Sequence, residues 1–261
     1  MSELWMKLVF LCPMLILAGI IDGISGGGGL IALPSYLLAG LPISTAYGCN
    51  KMQSCLGTST SLFKYAKSGY VDVRMAFPSA LAAILGSFCA TQIMLRLSDS
   101  VKNVIITGSM IFVIILTLLT RRRPITGSDH LRVALSFRSL LKCMLLGILL
   151  GLFDGFFGPG GGTVAVLLFS LVFHYDLRVG CGNGKLIIVL SNLTALITYI
   201  INGDVLYAIA IPCSLSNMLG SYIGASVATS KGGQLIRKIS LVVVIALGFY
   251  TIYTLVAPLL F

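Results

Sequence analysis

The chain of 261 residues is 57% hydrophobic and only 10% charged, with 18 basic against 8 acidic residues and a net charge of +10. Its mean hydropathy is +1.01. This composition excludes an ordinary soluble globular domain. It also removes nucleic acid as a partner, because in a membrane protein Lys and Arg collect in cytoplasmic loops.

In chain order the apolar stretches are Leu8–Ile24, Leu30–Gly40, Ala46–Ala66, Met75–Leu95, Val101–Thr120, Leu140–Phe157, Thr163–Phe173, Leu186–Ile201, Val205–Ala228 and Leu235–Leu260. All but two are long enough to cross an apolar layer of roughly 30 Å at about 1.5 Å per residue. Leu30–Gly40 and Thr163–Phe173 are too short and read as half-helices or re-entrant segments. Leu8–Ile24 lacks a small-residue cleavage site and has a counterpart at Leu140–Phe157, so it reads as mature structure and not as a signal peptide. The expected fold is an all-α integral membrane protein with about eight to ten transmembrane segments.

A glycine-rich break occurs twice. Asp22-Gly23-Ile24-Ser25-Gly26-Gly27-Gly28-Gly29 interrupts the first apolar run, and Asp154-Gly155-Phe156-Phe157-Gly158-Pro159-Gly160-Gly161-Gly162 interrupts a later one. Further matches keep the same order: Asn50-Lys51 with Gly184-Lys185 (Asn183 beside it), Gly69 with Gly203, Pro78 with Pro212, and Gly86-Ser87 with Gly220-Ser221. The pattern predicts a duplication, residues 1–120 and 140–261, joined by a basic linker at 121–139. If each short segment returns the chain to its starting side, all of the 18 basic residues except Lys7, Lys51, Arg96 and Lys102 fall on one face. The positive-inside rule then makes the repeats inverted, with both termini outside and the linker in the cytoplasm.

A helix restarting after a glycine run presents unpaired N–H groups and the positive end of its dipole. The breaks therefore predict a small anion held by the backbone around Gly26, Gly27, Gly28, Gly29, Gly158, Gly160, Gly161 and Gly162. The bland alternative is tight helix crossing. Asp22 and Asp154 are candidates for proton coupling or for fixing the turn. Lys51 and Lys185 open the next long segment of each half. Beside Asn50 and Asn183, they attract the anion or snorkel to the interface. Ser54 and Asn192, with Gln53, Thr58, Ser59, Ser191 and Thr194, line a path or join helices.

The seven cysteines show no CxxC spacing and read as buried apolar residues, with a thiol role left open at Cys49 and Cys181. His130 and His174 are too far apart for a metal constellation. No GxxxxGK[ST] loop occurs, so transport would be secondary, and no cofactor is expected.

The paired motifs, chiefly Gly151-Leu152-Phe153-Asp154-Gly155-Phe156-Phe157-Gly158-Pro159-Gly160-Gly161-Gly162 and its echo from Gly19 to Gly29, resemble the TauE/SafE family of sulfite exporter-like membrane proteins. The resemblance implies a multi-pass transporter, not an enzyme, in the bacterial inner membrane. It would export sulfite, an organosulfonate or a related oxyanion, and homo-oligomerisation stays open. An anion channel, a thiol-disulfide membrane protein and a non-transporting scaffold remain as alternatives.

Overall fold

The computed structural model describes residues 2–120, 136–158, 160–231 and positions 234, 236, 238, 239 and 242. Most of the basic linker, Pro159 and nearly all of Leu235–Leu260 lie outside the described residues. The described chain is all helix: α1 Ser2–Ser25, α2 Gly29–Leu38, α3 Ile43–Lys67, α4 Val73–Arg96, α5 Asp99–Thr120, α6 Phe137–Phe157, α7 Gly161–Phe173, α8 Leu177–Ile201 and α9 Tyr207–Lys231. Among these, α1, α4, α5, α6 and α8 are long and apolar enough to cross a membrane, while α2 and α7 are short and apolar. Large apolar side chains such as Trp5, Leu85, Phe88, Leu149 and Leu219 face outward. In water this surface would be costly, and in lipid it is the expected solvent contact. The chain is a multi-pass membrane protein.

Two expectations about helix starts are corrected. Helix α8 begins at Leu177, well before Leu186, and α3 begins at Ile43, before Ala46. Lys51 and Lys185 therefore lie inside their helices and do not open them. At α8 the reason is local: the Asp176 carboxylate caps the helix by accepting from Arg178 N, and Gly180, Gly182 and Gly184 then lie against neighbouring atoms. Helix α3 has the length of a span, about 37 Å for its 25 residues. Its polar content keeps it out of the plainly apolar set, because much of that polarity is buried inside the protein, at Asn50, Lys51, Gln53, Thr58 and Ser61.

The duplication is visible in turn chemistry. After α3, Gly69 (φ 77°) closes the helix with Gly69 N donating to Ala66 O and Tyr70 N to Tyr65 O; after α8, Gly203 (φ 76°) does the same with Ile200 O and Tyr199 O. Gly40 (φ 77°) and His174 (φ 57°) hold corresponding left-handed positions after α2 and α7. The repeats are inverted. The start of α3 touches the end of α8 (Gly48 against Asp204), while the start of α8 touches the segment after α3 (Gly182 against Tyr70, Asn183 bonded to Asp72 N). Adjacent helices α3 and α8 thus run antiparallel.

Packing interleaves the halves. Helix α1 lies along α9, with Gly19 and Gly23 facing Gly220 and Gly224. Its counterpart α6 lies along α4, with Gly147, Gly151 and Gly155 against Ser79, Ala83 and Ser87. Backbone contact at these glycines leaves no room for a side chain, the small-residue packing usual in membranes. Together with α9 on α3 and α4 on α8, this makes two three-helix groups, α1–α3–α9 and α4–α6–α8, each drawing on both repeats.

Candidate functional site

The two glycine breaks meet. A Cβ on Gly26 would stand 2.5 Å from the Gly162 carbonyl carbon, and one on Gly162 would strike the Gly26 carbonyl oxygen. Gly26 (φ 79°), Gly158 (φ 67°) and Gly160 (φ 86°) adopt left-handed backbone, which glycine accepts without strain. Thr163 Oγ1 donates to Ser25 O at 3.4 Å, tying the start of α7 to the end of α1. Gly28 packs on Ala18 and Asp22, so α2 folds back along α1.

Each break carries a carbonyl end and an amide end, and the protein treats them differently. On α1, Asp22 O accepts from Lys185 Nζ, Gly23 O from Tyr65 Oη at 3.1 Å, and Ile24 O from Cys181 Sγ at 3.6 Å. On α6, Asp154 O accepts from Lys51 Nζ at 2.8 Å and Phe157 O from Tyr47 Oη at 3.4 Å. The amide ends are left open: neither α2 nor α7 has a side-chain cap. The starts of α2 and α7 thus present backbone N–H groups without a side-chain acceptor, each at the positive end of a helix dipole of about +0.5 charge.

The lysines do not snorkel. Lys51 is fully buried and Lys185 is 2% exposed. Lys51 Nζ spends three bonds, on Asp154 O and Oδ2 at 2.8 Å and on Asn192 Oδ1 at 2.9 Å. Lys185 pairs with Asp22 Oδ2. Ser191 Oγ donates to Asp154 Oδ2 at 2.7 Å, and Thr58 Oγ1 to Asp22 Oδ2 at 3.2 Å. Each lysine thus caps the broken helix of the opposite three-helix group and neutralises its aspartate. Both carboxylates turn to a lysine and a hydroxyl and not to the amides that follow them.

A narrow cavity lies between the breaks, lined by Asp22, Gly26, Gly29, Ser54, Thr58, Asp154, Gly158, Gly160, Gly162, Ile188 and Asn192. In this conformation it is narrow, with room for about one water molecule at about 10 Å³. Gly27, Gly28 and Gly161 adjoin this wall without lining it, and Lys51 and Lys185 stand behind their aspartates. Asn50 sits near Gly158, with its Oδ1 accepting from Gln53 Nε2 at 3.0 Å.

Asn183 does not reach the cavity. It lies two residues before Lys185, about 200° around the helix, and its Oδ1 accepts from Asp72 N at 2.8 Å. Asn183→Ala should leave that buried N–H without a partner and cost about 1–3 kcal/mol. A lowered unfolding midpoint with an unchanged transport KM would confirm a structural part, whereas a KM rise alone would contradict it. Thr58 and Ile188 complete a signal that the sequence carried at helical spacing. Lys51, Ser54 and Thr58 on α3, and Lys185, Ile188 and Asn192 on α8, each recur at i, i+3, i+7 on one face.

Among the described residues no group of His, Cys, Asp and Glu could hold a metal. Cys49 bonds to Leu206 O and Cys181 to Ile24 O, so the two thiols serve different ends of the antiparallel α3–α8 pair.

Inverted repeats, short apolar helices and a polar cavity where those helices meet define a class: a multi-pass protein built like a solute transporter. The chain matches the family model described as "Sulfite exporter TauE/SafE" over residues 11–251, and it belongs to that family. It is 31% identical over 247 residues to "Probable membrane transporter protein ORF9" of Sinorhizobium sp, covering 92% of this chain and 90% of that one. It is 28% identical over 242 residues to "Probable membrane transporter protein YfcA" of Escherichia coli K12, covering 93% and 87%. A relative in Bacillus subtilis, "Probable membrane transporter protein YunE", is 24% identical over 271 residues, covering 95% and 98%. No solved structure matches significantly.

Proposed function

We propose that the protein is a secondary transporter, not an enzyme, that carries a small oxyanion of the sulfite or organosulfonate class out across the cell membrane. One observation carries this reading: side chains satisfy the carbonyl ends of both breaks, while the amide ends of α2 and α7 face one cavity uncapped. Such an arrangement favours an acceptor-rich, negatively charged solute. Gly26, Gly29, Gly158, Gly160 and Gly162 supply the backbone wall, and Ser54, Thr58 and Asn192 the side-chain polarity.

In this reading the moving bodies are α1–α3–α9 and α4–α6–α8, since each glycine-packed helix pair lies within one group. The two Lys–Asp pairs cross the seam between them. The linker around Arg121–Arg138 faces the cytoplasm, as the basic bias requires. The membrane potential drives export, at about 2.3 kcal/mol per charge for 100 mV.

The test is flux of labelled sulfite and organosulfonates in proteoliposomes of the purified chain. Saturable flux with exchange across the membrane supports a carrier. Unsaturated, potential-driven flux supports a channel, and no flux of any oxyanion defeats the proposal.

A further inference from the structure

The cavity offers donors, but it also contains acceptors with no donor among the described residues. Asp154 is 2% exposed and lines the cavity. Its Oδ2 takes both Lys51 Nζ and Ser191 Oγ, and among the described residues no hydrogen bond reaches its Oδ1. That second oxygen lies 2.6 Å from where a Cβ on Gly161 would stand, at the uncapped start of α7. Asp22 repeats the arrangement, with Oδ2 engaged by Lys185 and Thr58 and Oδ1 left over. Neither Oδ1 is sealed off from the cavity, so each takes its donor from what occupies that space, water or solute.

A bare dianion brings no proton and would set its own charge against these oxygens. A metal cation would have to compete with an ammonium already bound at each aspartate. An oxyanion bearing one proton satisfies both walls. Its unprotonated oxygens accept from the α2 and α7 amides and from Asn192 Nδ2, and its O–H donates to Asp154 Oδ1. We infer that the site selects the hydrogen-bearing monoanion of its solute, such as hydrogen sulfite, and that Asp154 is the residue that reads the proton. This inference rests on the transport reading above and specifies its substrate form.

The charged groups facing Asp154 are Lys51 from α3, with Asp22 of α1 and Lys185 of α8 forming the second pair at the other break. A pH series therefore needs a solute that does not itself titrate. Methanesulfonate is that control: a tetrahedral sulfur oxyanion that stays a monoanion across this pH range and carries no O–H. In proteoliposomes of the full chain at mildly acidic pH, hydrogen sulfite should show a KM at least tenfold below that of methanesulfonate. Tenfold corresponds to about 1.4 kcal/mol, the order of one satisfied buried hydrogen bond.

Raising the pH should increase the sulfite KM as the monoanion is depleted, with the methanesulfonate KM unchanged. In Asp154→Asn the ratio of the two KM values should fall toward one. If that variant fails to fold, the wild-type pH series still tests selection of the monoanion, and Asp154→Glu tests the residue, with a KM ratio altered from wild type expected. Equal KM values in the wild type, a pH-independent sulfite KM, or an unchanged ratio in a folded Asp154→Asn would overturn the inference and leave oxyanion transport standing. Absence of saturable flux for both anions would overturn both.

Discussion

Lys51→Met should lower the stability of the protein by about 3–5 kcal/mol, the usual loss when one partner of a buried ion pair is removed. The change takes a donor from three acceptors at once: Asp154 Oδ2 keeps Ser191 Oγ and Asp154 O keeps Gly158 N, while Asn192 Oδ1 is left with no donor among the described residues. Both side chains are almost wholly enclosed, at 1% and 3% exposure, so water cannot replace the ammonium. The double variant Lys51→Met, Asp154→Leu should recover part of the loss, because it removes the unpaired charge as well. Lys185→Met should cost less, since Asp22 is more open, with 14% of its side chain exposed. Thermal unfolding midpoints of the purified protein in lipid nanodiscs read these differences directly. A Lys51→Met midpoint equal to wild type would mean that the pair contributes nothing to folding.

Gly162→Ala should abolish transport while the protein still inserts. Its Cβ would strike the Gly26 carbonyl, a backbone group that cannot rotate away, so the two breaks must separate. Overpacking of this kind typically costs about 1–3 kcal/mol, and here it falls where the cavity is defined. Gly26→Ala adds left-handed strain of about 1–2 kcal/mol to the same collision. Gly40→Ala is the control. It has comparable strain at φ 77° but nothing within 4 Å of the new carbon, and it lies outside the cavity wall. Its stability should fall modestly while its transport persists. Equal transport in Gly162→Ala and Gly40→Ala would refute a functional role for the close approach.

Much of this architecture was legible in the chain. The repeat register from Gly69 with Gly203 to Gly86 with Gly220 rests on residues whose backbone or packing needs no Cβ, so the duplication survives in glycines after other positions have diverged. The short segments after each break were also legible, because about eleven residues cannot span a bilayer. Helix starts were less so. Polar and glycine-rich openings such as Leu177–Lys185 read as loop until the Asp176 cap and the contacts of Gly180 and Gly182 are seen.

The sequence by itself determined that this is a membrane chain with two glycine-rich breaks, each beside an aspartate and followed by a short apolar segment. Those properties follow from composition, periodicity and local backbone preference, and none of them needs a distant partner. Only the tertiary structure decided that Lys51 belongs to Asp154 and Lys185 to Asp22, that α1 pairs with α9 and α6 with α4, and that Asn183 points elsewhere. An ion pair between residues 103 or 163 positions apart has no local signature. It exists because antiparallel packing of α3 and α8 carries each lysine to the broken end of a helix from the opposite repeat, where the Asp22 and Asp154 carbonyls, each already bonded to one backbone N–H, accept a second donor.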